Sequence, residues 1–141
     1  MLKPFVSVVL IVFVAICWSI TPVHAEEKSI IYVSAEKAEY KEVRTGLQQA
    51  IVWGDENGVA GRFTKFAPGV DWGMHTHTHD VWLLVIKGAY LYKDDAGEKR
   101  VGAGEFLRVP GGKVHWSGGD AKEGALFYQE SAGKFDIVPA K

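Results

Sequence analysis

The sequence predicts an all-β domain built as a sandwich or barrel. Three observations carry this expectation. Short apolar or alternating runs recur along the chain, and glycine-rich turns such as "GDENG", "APG", "DDAG" and "PGGK" separate them. Only the stretch from Ser34 to Leu47 has room for a helix. The run "VWLLVI" is apolar without alternation, as in a strand covered on both faces.

Taken in order, the chain starts with an unusual segment. Lys3 supplies a positive charge, Phe5 to Ile20 is almost wholly apolar, and Val23 and Ala25 bracket His24. A charged start, an apolar core and a small-x-small pattern read as a secretory signal, residues 1–25, cut after Ala25. The alternative is an uncleaved anchor, although the apolar run is shorter than the roughly 20 residues a span needs. Cys17 follows Ile16, where a lipidation site requires a small residue. The expected location is periplasmic or secreted, with no membrane contact after cleavage.

The remaining segment, 26–141, reads as one domain. Ser29 to Val33 ("SIIYV") predicts a strand, and "EYKEVRTG" is ambiguous. Leu47 to Trp53 is a strand that turns at "GDENG". "VAGRFTKFA" alternates loosely up to Pro68 and Gly69. "VWLLVI" and "AYLY" are strands, and "DDAG" is a hairpin turn between charged flanks. "EFLRV", "VHW", "ALFYQE" and "FDIV" complete the set.

Composition excludes several functions. Cys17 is the sole cysteine, so the mature segment can form neither a disulfide nor a thiolate metal site. Without Lys3, 15 basic residues face 17 acidic ones and no basic block stands out, which argues against nucleic acid. No Ser-His-Asp or nucleophilic cysteine arrangement is available.

Histidine is the informative residue. Beyond His24 there are four, in two places: His75, His77 and His79 at every second position, and His115 in "GEFLRVPGGKVHW". Residues two apart on a strand share a face, so His75 and His77 can point together, and His79 joins them if the strand continues to it. Neutral imidazoles suit iron, zinc, copper and nickel. The competing reading is an exposed cluster and an unrelated core histidine.

The glycines shift that balance. Gly69, five residues, His75-x-His77 and then Gly88 resemble the first cupin motif, G-x5-H-x-H-x3,4-E-x6-G. Gly104, five residues, Pro110-x-Gly112, two residues and His115 resemble the second, G-x5-P-x-G-x2-H-x3-N. The two motifs span close to half of the mature segment. The chain thus resembles the cupin superfamily, and "VWGDENGVAGRFTKFAPG" with "YQESAGKFDIVP" is similar to a branch of small single-domain cupins with a "WGD" turn. The resemblance implies a jelly-roll (double-stranded β-helix) barrel with a divalent metal at its mouth, held by His75, His77 and His115. Iron(II) is the expected metal, with zinc, manganese, nickel and copper as alternatives. Small cupins often pair through strand edges, so a homodimer is a further expectation.

The pattern breaks at two points. The family's glutamate ligand, seven residues before Gly88, is Val81, and the asparagine closing the second motif is Gly119. Either His79 or Asp80 swings in as a fourth ligand, or the site holds three neutral histidines. With glutamate a divalent site carries about +1, and with three histidines about +2. The greater charge favours a chelating or anionic small-molecule ligand and strengthens Lewis acidity. Some cupins with three-histidine iron sites are dioxygenases, so the resemblance allows a dioxygenase-like enzyme; the alternatives are a zinc-bound hydroxide, a non-catalytic cupin binding metal, sugar or acid, and a structural cupin with an empty site. No catalytic residue is assigned.

Other residues invite a role. Trp72, Trp82 and Trp116 flank the histidine segments and can line a pocket or simply fill the core. One face of the strand carrying Tyr128, Gln129 and Glu130 looks into the barrel, which makes Tyr128 or Glu130 a candidate partner of the metal site. Arg62, Lys65 and Arg108 can hold an anion, although charges on the strands of a small barrel are usually solvated.

Overall fold

Alternation of inward and outward side chains organises ten antiparallel strands into a jelly roll. They are β1 (Lys41–Arg44), β2 (Leu47–Gly54), β3 (Ala60–Phe66), β4 (Asp71–Thr76), β5 (Val81–Asp94), β6 (Gly97–Gly102), β7 (Phe106–Val109), β8 (His115–Gly119), β9 (Ala125–Ser131) and β10 (Val138–Pro139). The computed structural model describes residues 29–140, so the signal segment expected at 1–25 lies outside the described residues.

The long strand β5 belongs to both sheets. Its first part, Val81 to Leu84, pairs with β7 and β9, and β9 continues through β3 and β2 to β1. Its second part, from Ala89 onward, pairs with β6 and β8, and β8 leads to β4 and β10. The register shifts between Val85 and Lys87, where the strand bends from one sheet to the other. Gly88 makes this bend possible. Its φ is 69°, and a Cβ there would lie 2.3 Å from the carbonyl oxygen of Gly124. The segments "VWLLVI" and "AYLY", expected as two strands, are the two arms of this one.

The interior is graded. At one end Phe66 sits against Phe127, Tyr90 and Trp72, with ring centroids 5.0 to 5.6 Å apart, and Leu47, Leu83 and Val85 close the core. Burying each such side chain contributes about 1.5–3 kcal/mol. Toward the other end the inward positions turn polar. Arg62 and Thr64 precede Phe66 on β3, and Gln129 and Ser131 follow Phe127 on β9, all buried. The histidines stand at this polar end.

Three local expectations are corrected. Ser29 to Val33 forms no strand, because Ile30 and Tyr32 are 96% and 89% exposed with no sheet partner. No helix forms between Ser34 and Leu47. That segment ends in a β1–β2 hairpin, in which Lys41 faces Gln49 and Gly46 turns the chain at φ 81°. The strand expected at "FDIV" is reduced to its last residue, Val138, which opens β10, whereas the "DDAG" hairpin forms as expected with β6 pairing β5.

Candidate metal centre

His75 lies on β4 and His115 opens β8, and the two are direct register partners. His77 stands one residue beyond the end of β4. Period-two alternation is kept across that boundary, so His77 joins the same inner face. Ring centroids are 4.3 Å apart for His75 and His115, and 5.2 Å for each pair with His77. All three are buried, and one nitrogen from each lies within 4.8 Å of the others.

Each ring is oriented by its other nitrogen. Nδ1 of His75 faces the carbonyl of Gly73 at 2.9 Å, Nδ1 of His115 that of Lys113 at 2.9 Å, and Nδ1 of His77 that of Asp136 at 2.5 Å. A carbonyl only accepts, so each Nδ1 carries the proton and each Nε2 presents a lone pair. Nε2 of His115 is buried with no hydrogen-bond partner among the described residues. An orphaned acceptor beside two like rings is costly unless an electrophile fills the gap. Burial lowers the pKa of all three, bringing His115 to about 4, so the rings are neutral at physiological pH. Neutral, tautomer-locked imidazoles with converging lone pairs fit a divalent ion.

The second motif supplies the clasp. The amide of Gly112 donates to the carbonyl of His77 at 2.8 Å, and Gly112 has φ 75°. Asp80 closes the same loop from the other side. It takes Gly111 N at 2.8 Å on Oδ1, and Nη2 and Nε of Arg108 at 2.6 and 3.1 Å on Oδ2. These partners hold its carboxyl below the ordinary carboxylate range, the amide of Gly111 first and Arg108 next. Asp80 thus braces the loop rather than joining the histidines. His79 is exposed and lies against Gly133. Among the described residues the candidate cluster is His75, His77 and His115, with neither His79 nor Asp80 in it.

Val81 is buried at the start of β5 and lines a small cavity with His75, His77, Trp72, Gln129 and Phe135. The motif's glutamate position therefore faces the histidines and presents only methyl groups. The free volume there is about 10 Å³, so the side chains close on one another. Tyr92 stacks on His115 at 5.3 Å and 19°. Phe135 covers His77 at 5.2 Å.

Phe135 belongs to a strap after β9, between Ser131 and Val138. Its Asp136 carboxylate accepts from Thr78 N at 2.8 Å and Thr78 Oγ1 at 2.5 Å, while its backbone carbonyl orients His77. β10 then pairs with Thr76 and His75. The signal for this strap was faint, because "KFDIV" reads as an ordinary strand.

On β9 the inward residues are Phe127, Gln129 and Ser131. Tyr128 and Glu130, proposed from sequence as partners of the site, face outward, where Tyr128 OH donates to Glu130 at 2.8 Å and accepts from Trp53 Nε1 at 2.7 Å. Of the tryptophans, Trp72 lines the cavity, Trp116 donates outward to Asp71 at 2.6 Å, and half-buried Trp82 points away from Val81. Arg108 is taken by Asp80 and Lys65 lies over the ring of Tyr40, so of the three cations only Arg62 points inward.

Comparison with known proteins agrees with this fold. Residues 28–133 match the ChrR cupin-like domain family. No curated protein matches the sequence. Among solved structures, KdgF from Halomonas sp. is similar at 20% identity and a TM-score of 0.60, covering 73% of this chain and 94% of that one. The polyketide cyclase RemF from Streptomyces resistomycificus is similar at 15% identity and a TM-score of 0.64, covering 79% and 83%. The complex of Rhodobacter sphaeroides SigE with the anti-sigma ChrR is similar at 20% identity and a TM-score of 0.55, covering 68% of this chain and 49% of that one. These likenesses establish the fold. With two glycine-framed histidine motifs, a jelly-roll barrel and a family match over most of its length, the chain belongs to the cupin superfamily, in the ChrR cupin-like domain family.

Proposed function

We propose that this protein holds a single divalent metal through Nε2 of His75, His77 and His115, and uses it on a small chelating or anionic substrate in dioxygenase-like chemistry. The observation that supports it is the donor set: three neutral imidazoles, each locked by a backbone carbonyl, with Val81 where a carboxylate would neutralise charge. When bound, iron(II), the metal proposed, supplies a Lewis-acidic centre and open positions for oxygen chemistry. The chain's own residues orient and exclude. Gly73, Lys113 and Asp136 fix the ring tautomers, Tyr92 and Phe135 flank the rings, and Gln129, whose buried amide nitrogen has no partner among the described residues, lines the cavity. Aromatic and apolar walls keep water low around the ligands.

A second reading has support of its own. The cavity that His75 and His77 share with Val81 and Phe135 is about 10 Å³, which holds one water at most. That tightness favours a cupin that retains metal without turnover, unless the strap carrying Phe135 moves. Oxygen consumption by iron-loaded protein across a panel of small chelating anions separates the two. Substrate-dependent uptake that disappears in His77→Ala supports the enzyme. Stoichiometric metal with no uptake and no nitric oxide adduct supports the binding protein.

Export rests on the amino-terminal segment alone. Recovering a periplasmic form that begins at Glu26 tests it, and an uncleaved membrane-bound product contradicts it. Edge-to-edge dimerisation is likewise proposed, with sedimentation as its test.

A further inference from the structure

Arg62 is the one cation of the described interior that the metal site does not explain. It is 2% exposed on β3, yet no carboxylate of the described residues lies within 4.0 Å. Nη2 donates to Ser131 Oγ at 3.2 Å, and buried Nε has no partner. One face of the guanidinium lies over the ring of Phe135 at 5.2 Å. A buried charge left without a counter-ion costs several kcal/mol, so such an arrangement persists where an anion completes it.

The space for that anion is present. Arg62 and Gln49 form part of the wall of a cleft of about 420 Å³ between β2, β3 and the strap, with Val43, Ile51 and Phe135 as apolar surface. This lies within the usual range for small-molecule sites. At the rim Lys41 and Lys134 are offset by Glu39 and Glu56, so the surplus charge belongs to Arg62. Burial depresses the guanidinium's proton affinity, and exposed Glu56 opposes that without touching it. Phe135 borders both this cleft and the histidine cavity, standing between Arg62 on one side and His77 on the other.

We propose that this cleft is a second ligand site, separate from the metal, in which Arg62 anchors the carboxylate of a small organic acid whose apolar body packs on Phe135 and Ile51. The planar guanidinium fork takes a carboxylate bidentately, which a lysine cannot do. The site does not require the metal.

The test uses benzoate as probe, with neutral benzamide and inorganic phosphate as controls, in calorimetry on chelator-treated and metal-loaded protein. Saturable benzoate binding is expected in both forms, at least tenfold weaker for benzamide and for phosphate. Arg62→Gln is expected to lose at least tenfold in affinity, and His115→Ala to retain wild-type affinity. Equal binding of benzamide, equal or tighter binding of phosphate, unchanged binding by Arg62→Gln, loss in His115→Ala, or no benzoate binding at millimolar concentration would each overturn the proposal. Arg62→Met separates an anchor from a structural brace. In anion-free buffer it is expected to melt no lower than wild type and to gain nothing from benzoate, whereas lower melting would mark a brace and overturn the assignment.

Discussion

Replacing Val81 with glutamate restores the one protein ligand that the first motif lacks, and its consequences can be worked from the structure. Val81 is 3% exposed and shares its cavity with His75 and His77. Without metal, Val81→Glu loses the burial of the valine, worth about 1.5–3 kcal/mol. Overpacking a space of about 10 Å³ adds about 1–3 kcal/mol. The new carboxyl stays protonated or moves toward the mouth, since ionising it there without a cation is costly. A total near 4 kcal/mol corresponds to a fall in melting temperature of about 15–25 °C for a domain of this size. With zinc or iron(II) the sign reverses locally. The carboxylate becomes a charged ligand and lowers the charge of the site by one, so metal affinity rises at least about tenfold, or roughly 1.4 kcal/mol. The assay is thermal melting of chelator-treated and metal-loaded protein, with competition by a chelator for affinity. Val81→Glu should melt well below wild type when metal-free and recover more than wild type on loading. A metal-free variant as stable as wild type, or equal recovery on loading, would refute the placement of Val81 beside the metal.

Other outcomes follow from the same geometry. The metal-free protein should lose stability as pH falls from about 6.5 toward 4. The folded-state pKa of His115 is lowered to about 4, chiefly by burial, so the unfolded chain binds more protons in that window. His115 alone contributes about 3 kcal/mol over the full interval, measurable as a falling urea midpoint, and a flat profile would contradict the buried neutral cluster. Asp136→Ala removes the carboxylate that Thr78 holds and loosens the strap that orients His77. Metal affinity should drop about tenfold or more by chelator competition, with a smaller change in metal-free melting. Gly88→Ala should lower stability by more than about 2 kcal/mol in denaturant titration, because a Cβ meets the Gly124 carbonyl at 2.3 Å and φ is 69°.

The parts legible in sequence were those set by short-range rules. Gly69, Gly88, Gly104 and Gly112 all adopt positive φ, so their spacing measured turns and fixed which histidines share a face. That selected His75, His77 and His115 and separated His79, which is exposed. Long-range closure was not legible. The strap that orients His77 through Asp136 is 59 residues away from it in sequence, and no local pattern announces a backbone carbonyl as partner. Strand parity at Tyr128 and Glu130 was ambiguous because tyrosine and glutamine are both amphipathic, and only packing against Phe66 shows that Phe127 points inward. Arg62 was set among solvated charges because a cation on a small barrel strand is usually outside. Its burial depends on the graded interior, in which Ser131 and Gln49 stand nearby.

The central claim is that three histidines, without a carboxylate, hold one metal ion. X-ray absorption spectroscopy on the zinc- or iron-loaded protein, with metal quantified per chain, tests it most directly. The account predicts one ion per chain and three imidazole nitrogens, at about 2.0–2.1 Å for zinc, with the remaining positions filled by exchangeable water or added anion. It also predicts that His115→Ala abolishes stoichiometric binding. Substoichiometric metal, or a fourth protein ligand from the His79–Asp80 loop, would contradict it.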